Sequence, residues 1–87
     1  MMKNLLIGVA ALTVSTGALA FGNCTKEPKD KWQDQTAFQQ KLKDQGYQIK
    51  KFKVSGTCYE IYGKDKDGKR VEIYFDPTNG DIKKKGD

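Results

Sequence analysis

The residues able to do chemistry fall into two small groups. Glu60 and Glu72 each stand two positions before a tyrosine, Tyr62 and Tyr74, in segments of alternating polarity, so all four can share one face of a sheet. Paired carboxylates of this kind serve acid-base catalysis when a cleft raises the pKa of one of them. No second layer over that face can be read from the sequence, so solvated sheet residues paired with lysines are the expected outcome. Cys24 and Cys58 form the other group and are the only cysteines. They lack the Cys-x-x-Cys spacing of redox sites, and a metal centre needs more ligands than two. Histidine, the commonest general base and metal ligand, is absent. A non-catalytic protein with no cofactor and no metal is therefore expected.

Two lysine clusters, Lys50-Lys51-x-Lys53 and Lys83-Lys84-Lys85, contribute to a formal net charge of +5. Such clusters near tyrosines can bind polyanions. Acidic residues are interspersed throughout, so edge protection and solubility are the better reading, and no nucleic-acid partner is expected. Asp65-Lys66-Asp67-Gly68 resembles part of a calcium loop. The pattern would place its last ligand at Tyr74 where a glutamate is required, so a plain hairpin turn is expected instead.

The chain is 87 residues long, enough for one small domain. Met1-Met2-Lys3-Asn4 is a short basic start, Leu5 to Leu12 is apolar, and Ala18-Leu19-Ala20 has the small-x-small pattern of a signal-peptidase site. Residues 1–20 are thus expected to be a cleavable signal peptide, leaving Phe21 first and no transmembrane segment. Phe21-Gly22-Asn23 does not fit the small residues that precede a lipidated cysteine. An exported chain, periplasmic or secreted, meets an oxidising compartment, so Cys24 and Cys58 are expected to form a disulfide contributing roughly 3 to 4 kcal/mol.

Residues 21–33 read as a charged lead-in around Pro28, with Trp32 folding back onto a domain over 34–87. Asp34 is a plausible N-cap for a helix from Gln35 to Gln45 that buries Phe38 and Leu42 and ends at Gly46. Three strands follow, Tyr47 to Val54, Thr57 to Gly63 and Lys69 to Phe75, with Asp67-Gly68 making a tight turn. The phase of Ile49 against Phe52 and Val54 calls for a bulge near Lys50-Lys51. After Asp76-Pro77-Thr78-Asn79-Gly80, residues 81–84 add a short fourth strand through Ile82. The class is α+β, one helix on a three- to four-stranded antiparallel meander. Alternation puts Phe52, Val54, Tyr59, Ile61, Val71, Ile73 and Phe75 beneath the helix. The opposite face, with Glu60, Tyr62, Glu72, Tyr74, Lys51 and Lys53, is expected to stay open and to be the binding surface, unless a partner adds to an edge strand.

The order of these features resembles small exported PepSY-domain proteins over nearly the whole chain after the leader. The residues that carry the likeness are Cys24-x-x-x-Pro28, Trp32, Ala37-Phe38-x-x-x-Leu42, Gly46-Tyr47 and Cys58-Tyr59-Glu60-Ile61-Tyr62, then Asp67-Gly68-Lys69, Val71-Glu72-Ile73-Tyr74-Phe75-Asp76-Pro77 and Gly80-Asp81-Ile82. PepSY domains occur in propeptides of secreted metallopeptidases. The resemblance implies a module that modulates or inhibits a peptidase in the cell envelope, with no catalytic residues to carry over and an unnamed envelope protein as partner. A small accessory or stress protein that adheres to envelope surfaces by charge is the alternative. Oligomeric state is not encoded in any motif.

Overall fold

Local chemistry fixes each element. In the computed structural model, which describes residues 21–86, helix α1 spans Gln35–Asp44 and buries Phe38 and Leu42. Asp34 caps it: its Oδ2 accepts the Ala37 N–H at 2.9 Å, satisfying one of the donors left over at a helix start. The chain leaves through Gly46 at φ 103°, a conformation that costs glycine little. The signal peptide expected over residues 1–20 lies outside the described residues.

Strands β1 (Gln48–Ser55), β2 (Cys58–Lys64), β3 (Arg70–Phe75) and β4 (Ile82–Gly86) form one antiparallel sheet in the order β1-β2-β3-β4. The helix followed by a four-stranded meander is the α+β class read from the sequence. The β1 register shifts between Ile49 and Lys51, leaving Lys50 as the extra residue of a bulge. Gly63 makes that bulge possible, because a Cβ there would lie 1.8 Å from the Gln48 carbonyl oxygen. In the β2–β3 turn, Asp65 Oδ1 accepts the N–H groups of Asp67 and Lys69 at 2.9 and 3.0 Å. The bond from the Lys69 N–H, with that from Asp67, holds the Asp65 carboxyl below its ordinary range.

The core sits between α1 and one face of the sheet: Phe38, Leu42, Tyr59, Ile61, Val71, Ile73 and Phe75. Tyr59 is met edge-on by Trp32, Phe38 and Phe52, at centroid distances of 5.6, 5.0 and 5.1 Å. Each fully buried large apolar side chain contributes about 1.5 to 3 kcal/mol to folding. Val54, expected in this core, is 37% exposed, and Ile82 is 48% exposed. Both lie on edge strands, where a side chain has a neighbouring strand on one side only.

The lead-in is bound more firmly than a tether. Lys29–Lys31 form one turn of 3-10 helix, and Gln33 N–H donates to Pro77 O at 2.9 Å while the Tyr59 hydroxyl donates to Gln33 O. Upstream, Thr57 Oγ1 accepts from Cys24 N–H at 2.9 Å and donates to Gly22 O at 3.0 Å. Cys24 is bonded to Cys58 across a sequence separation of 34, with S–S 2.04 Å. Gly22 and Gly56 touch through their backbones, and Gly56 has φ 59°.

Candidate binding surface

Alternation along β2 and β3 places Cys58, Glu60 and Tyr62 beside Glu72 and Tyr74 on the face opposite α1. The register arranges them in two rows across the sheet. One runs Lys53, Glu60, Tyr74, Lys84, and the next runs Lys51, Tyr62, Glu72, Gly86. Directly opposed side chains in such rows stand close enough to interact. The sequence-predicted residues are therefore brought together.

They are not, however, equally open. Lys51 and Lys53 are exposed, and Tyr62 and Glu72 are half-buried, whereas Glu60 is 1% and Tyr74 4% exposed. The expectation of a wet face fails for those two. Cys58 has the same side-chain parity as Glu60, so its bond to Cys24 draws the lead-in over this face. Phe21 then meets Tyr74 edge-on at 5.1 Å, and Lys84 Nζ stands 5.8 Å from the Phe21 ring centroid. Cys24, Cys58 and Tyr74, with Phe21 against them, make a second small core.

Beneath that cover lies a polar network. Ser55 Oγ donates to Glu60 Oε1, and the Tyr74 hydroxyl donates to Glu72 Oε2 at 3.0 Å. The Glu60 Oε2 atom is buried with no hydrogen-bond partner of its own. Burial pushes the Glu60 carboxyl up, but the groups around it, Glu72 and the hydroxyls of Ser55, Tyr62 and Tyr74, together outweigh it and hold the pKa below the ordinary value. The same contacts keep the phenols protonated. Tyr62 is pushed well up by its bonds to Glu60 and Glu72, and Tyr74 by burial and then by Glu72. Tyr59, on the core face, is raised by burial and by the charge of Asp34. Because Glu60 is closed to solvent, the pair cannot present two carboxylates to a substrate. Its chemistry is that of a hydrogen-bonded cross-brace between β1, β2 and β3.

Farther along the same strands, past the lead-in, the surface is concave. A hollow of about 600 Å³ is lined by Gln48, Ile49, Lys50, Tyr62, Gly63, Lys64, Arg70, Val71 and Glu72. A second hollow of about 440 Å³ adjoins it and shares Arg70 and Val71. Sequence reasoning found Tyr62 and Glu72 here and missed Gln48, Lys64 and Arg70. These three form the next row of the sheet, a row legible only after the Lys50 bulge is counted into the register. No group of three or more histidine, cysteine or acidic residues able to hold a metal occurs among the described residues.

No curated protein and no solved structure matches the chain. The family model of the peptidase propeptide and YPEB domain matches residues 4–86. That span takes in the helix, all four strands and the disulfide-bonded lead-in described above, and the chain belongs to the PepSY family.

Proposed function

We propose that this protein is a non-catalytic exported binding module that modulates or inhibits a peptidase in the cell envelope. The observation that carries the reading is the family match over residues 4–86, since the family takes its description from peptidase propeptides. Two structural facts support it. The disulfide suits an oxidising compartment outside the cytoplasm, and Glu60, one of the two carboxylates, is buried and bonded to Ser55 as part of a brace. Proteolytic cleavage after Ala20 and export belong to the same proposal.

The test is direct. The protein recovered from the envelope is titrated into a secreted metallopeptidase of the same organism hydrolysing casein. A saturable fall in rate at near-stoichiometric protein supports the reading. Unchanged rates at a large excess, or simple degradation of the protein as a substrate, defeat it. Charge-driven adhesion to envelope surfaces is separated by salt: it fades as the Debye length shrinks to about 3 Å at 1 M, whereas a packed protein interface persists.

A further inference from the structure

The second face is divided by the lead-in. The Phe21 to Cys24 segment closes it over Tyr74 and Glu60, and the two adjoining hollows open beyond that cover around Arg70. The larger hollow, at about 600 Å³, falls within the range of sites that enclose a ligand. Its charge is uneven: Lys50, Lys64 and Arg70 face one carboxylate, Glu72. Lys69 and Lys85 extend the basic lining into the smaller hollow, against Asp65 alone.

Both acids are already engaged. Glu72 Oε2 accepts the Tyr74 hydroxyl, and Asp65 Oδ1 accepts two backbone N–H groups of its own turn. The cations are therefore in excess over the acids, and the Tyr62 phenol, held protonated, adds a hydroxyl to the lining. Gly63, without a side chain, lies in the lining between Lys64 and Tyr62. Along one margin runs β1, paired with β2 alone among the described residues, so its other edge carries free backbone donors and acceptors.

From this we infer that the hollow around Lys50, Lys64 and Arg70 is a docking site for an acidic, extended peptide segment of a partner protein. Its carboxylates face the three cations and its backbone adds to the β1 edge. Nucleic acid fits less well, because the hollow contains the Glu72 carboxylate and lacks an exposed run of stacking aromatics. The inference rests on the binding-module reading and names the partner chemistry that such a module accepts.

The test uses the full oxidised protein and a fluorescein-labelled twelve-residue peptide of alternating glutamate and valine, read by fluorescence anisotropy. Saturable binding is expected, lost in the lysine-valine counterpart and weakened at least about tenfold by K64Q/R70Q. Both side chains are exposed, so the fold tolerates the change, and K43Q on the exposed side of α1 should leave the affinity within about twofold. Methylating alternate backbone nitrogens of the peptide should also weaken it, since strand addition needs those donors. Equal losses from K43Q and K64Q/R70Q, indifference to N-methylation, or no binding at millimolar peptide would overturn the inference. So would an oligonucleotide that binds more tightly through the same two cations. The assay contains no peptidase. A peptide that binds as stated while casein hydrolysis is unaffected sinks the peptidase reading and leaves the site standing, and the reverse outcome sinks the site alone.

Discussion

Replacing Tyr74 by alanine separates two views of the sheet. If the face opposite α1 were open, the variant would fold almost normally. In the structure Tyr74 is 4% exposed, its ring meets Phe21 at 5.1 Å, and its hydroxyl donates to Glu72 at 3.0 Å. Truncating a buried aromatic to alanine costs about 3 to 5 kcal/mol when the cavity does not collapse. Of that, the hydroxyl accounts for about 0.5 to 1.5 kcal/mol and the edge-on ring pair for about 0.5 to 1.5 kcal/mol. Cavity formation supplies the rest, and the neighbouring disulfide restrains the lead-in from sinking to fill it. Domains of this size hold only about 5 to 15 kcal/mol in total, so the loss is a large fraction.

The assay is urea unfolding followed by circular dichroism at neutral pH without reductant, so that the disulfide stays intact. With a slope of about 1 to 1.5 kcal/mol/M for a small chain, the midpoint should fall by roughly 2 to 5 M. Tyr74→Phe keeps the ring and loses only the hydroxyl, so its midpoint should fall by about 0.3 to 1.5 M. Phe75→Ala, on the α1 side, should be as damaging as Tyr74→Ala, since both residues are buried. If Tyr74→Ala stays within about 0.5 kcal/mol of the parent while Phe75→Ala unfolds, the lead-in does not cover this face and the reasoning is refuted.

Three further outcomes are expected. Cys24→Ser with Cys58→Ser should cost about 2 to 4 kcal/mol in the same unfolding assay and should raise amide exchange in residues 21–25, because those residues lose the bond that seats them. Gly63→Ala should destabilise by more than about 2 kcal/mol, since its Cβ would lie 1.8 Å from Gln48 O and the bulge must open to admit it; a melting temperature equal to the parent's would contradict the close approach. The pH dependence has two limbs of known sign. The Glu60 pKa is lowered from 4.5, so its contribution is present above that pH and is lost as the pH falls below it. Tyr62 and Tyr74 are raised from 10.0, so theirs is present below that pH and is lost as the pH rises above it. Stability curves of Glu60→Gln and of the parent should therefore converge at acid pH, and phenolate absorbance should lag behind that of free tyrosine above pH 10.0.

Most of the fold was legible because each element carried its own signal. Asp34 and Gly46 bracketed α1, the phase slip between Ile49 and Phe52 announced the bulge, and Asp67-Gly68 marked the β2–β3 turn, with Gly68 at φ 80°. Alternation also sorted the two faces of β2 and β3 correctly. What alternation does not carry is what lies over a face. Glu60 and Tyr62 follow the same two-residue rhythm, yet one is closed and the other half-open, because cover depends on a segment far away in the chain. Val54 shows the converse: its rhythm is that of a core residue, but its place on an edge strand leaves it 37% exposed. Arg70 and Lys64 carried no local motif at all, and only the register across three strands sets them beside Gln48.

The disulfide and the face it covers are linked by parity, with a consequence for where a partner can sit. Cys58 alternates with Glu60 and Tyr62, so any covalent bond from Cys58 to the lead-in must bring that segment to the side away from α1. The side beneath α1 is filled by Phe38 and Leu42 and the strand residues packed on them. Of the second side, the rows nearest the β1–β2 turn are taken by Cys24, Gly22 and Phe21. What stays free of both covers is the far end of the central strands, where Tyr62, Glu72 and the row of Gln48, Lys64 and Arg70 lie, together with the outer margin of β1. The end of the sheet that lacks a cover is thus the end that carries the hollow and its cations. A partner that left Lys64 and Arg70 protected less than Lys51 and Lys53 in lysine and arginine footprinting would break that link.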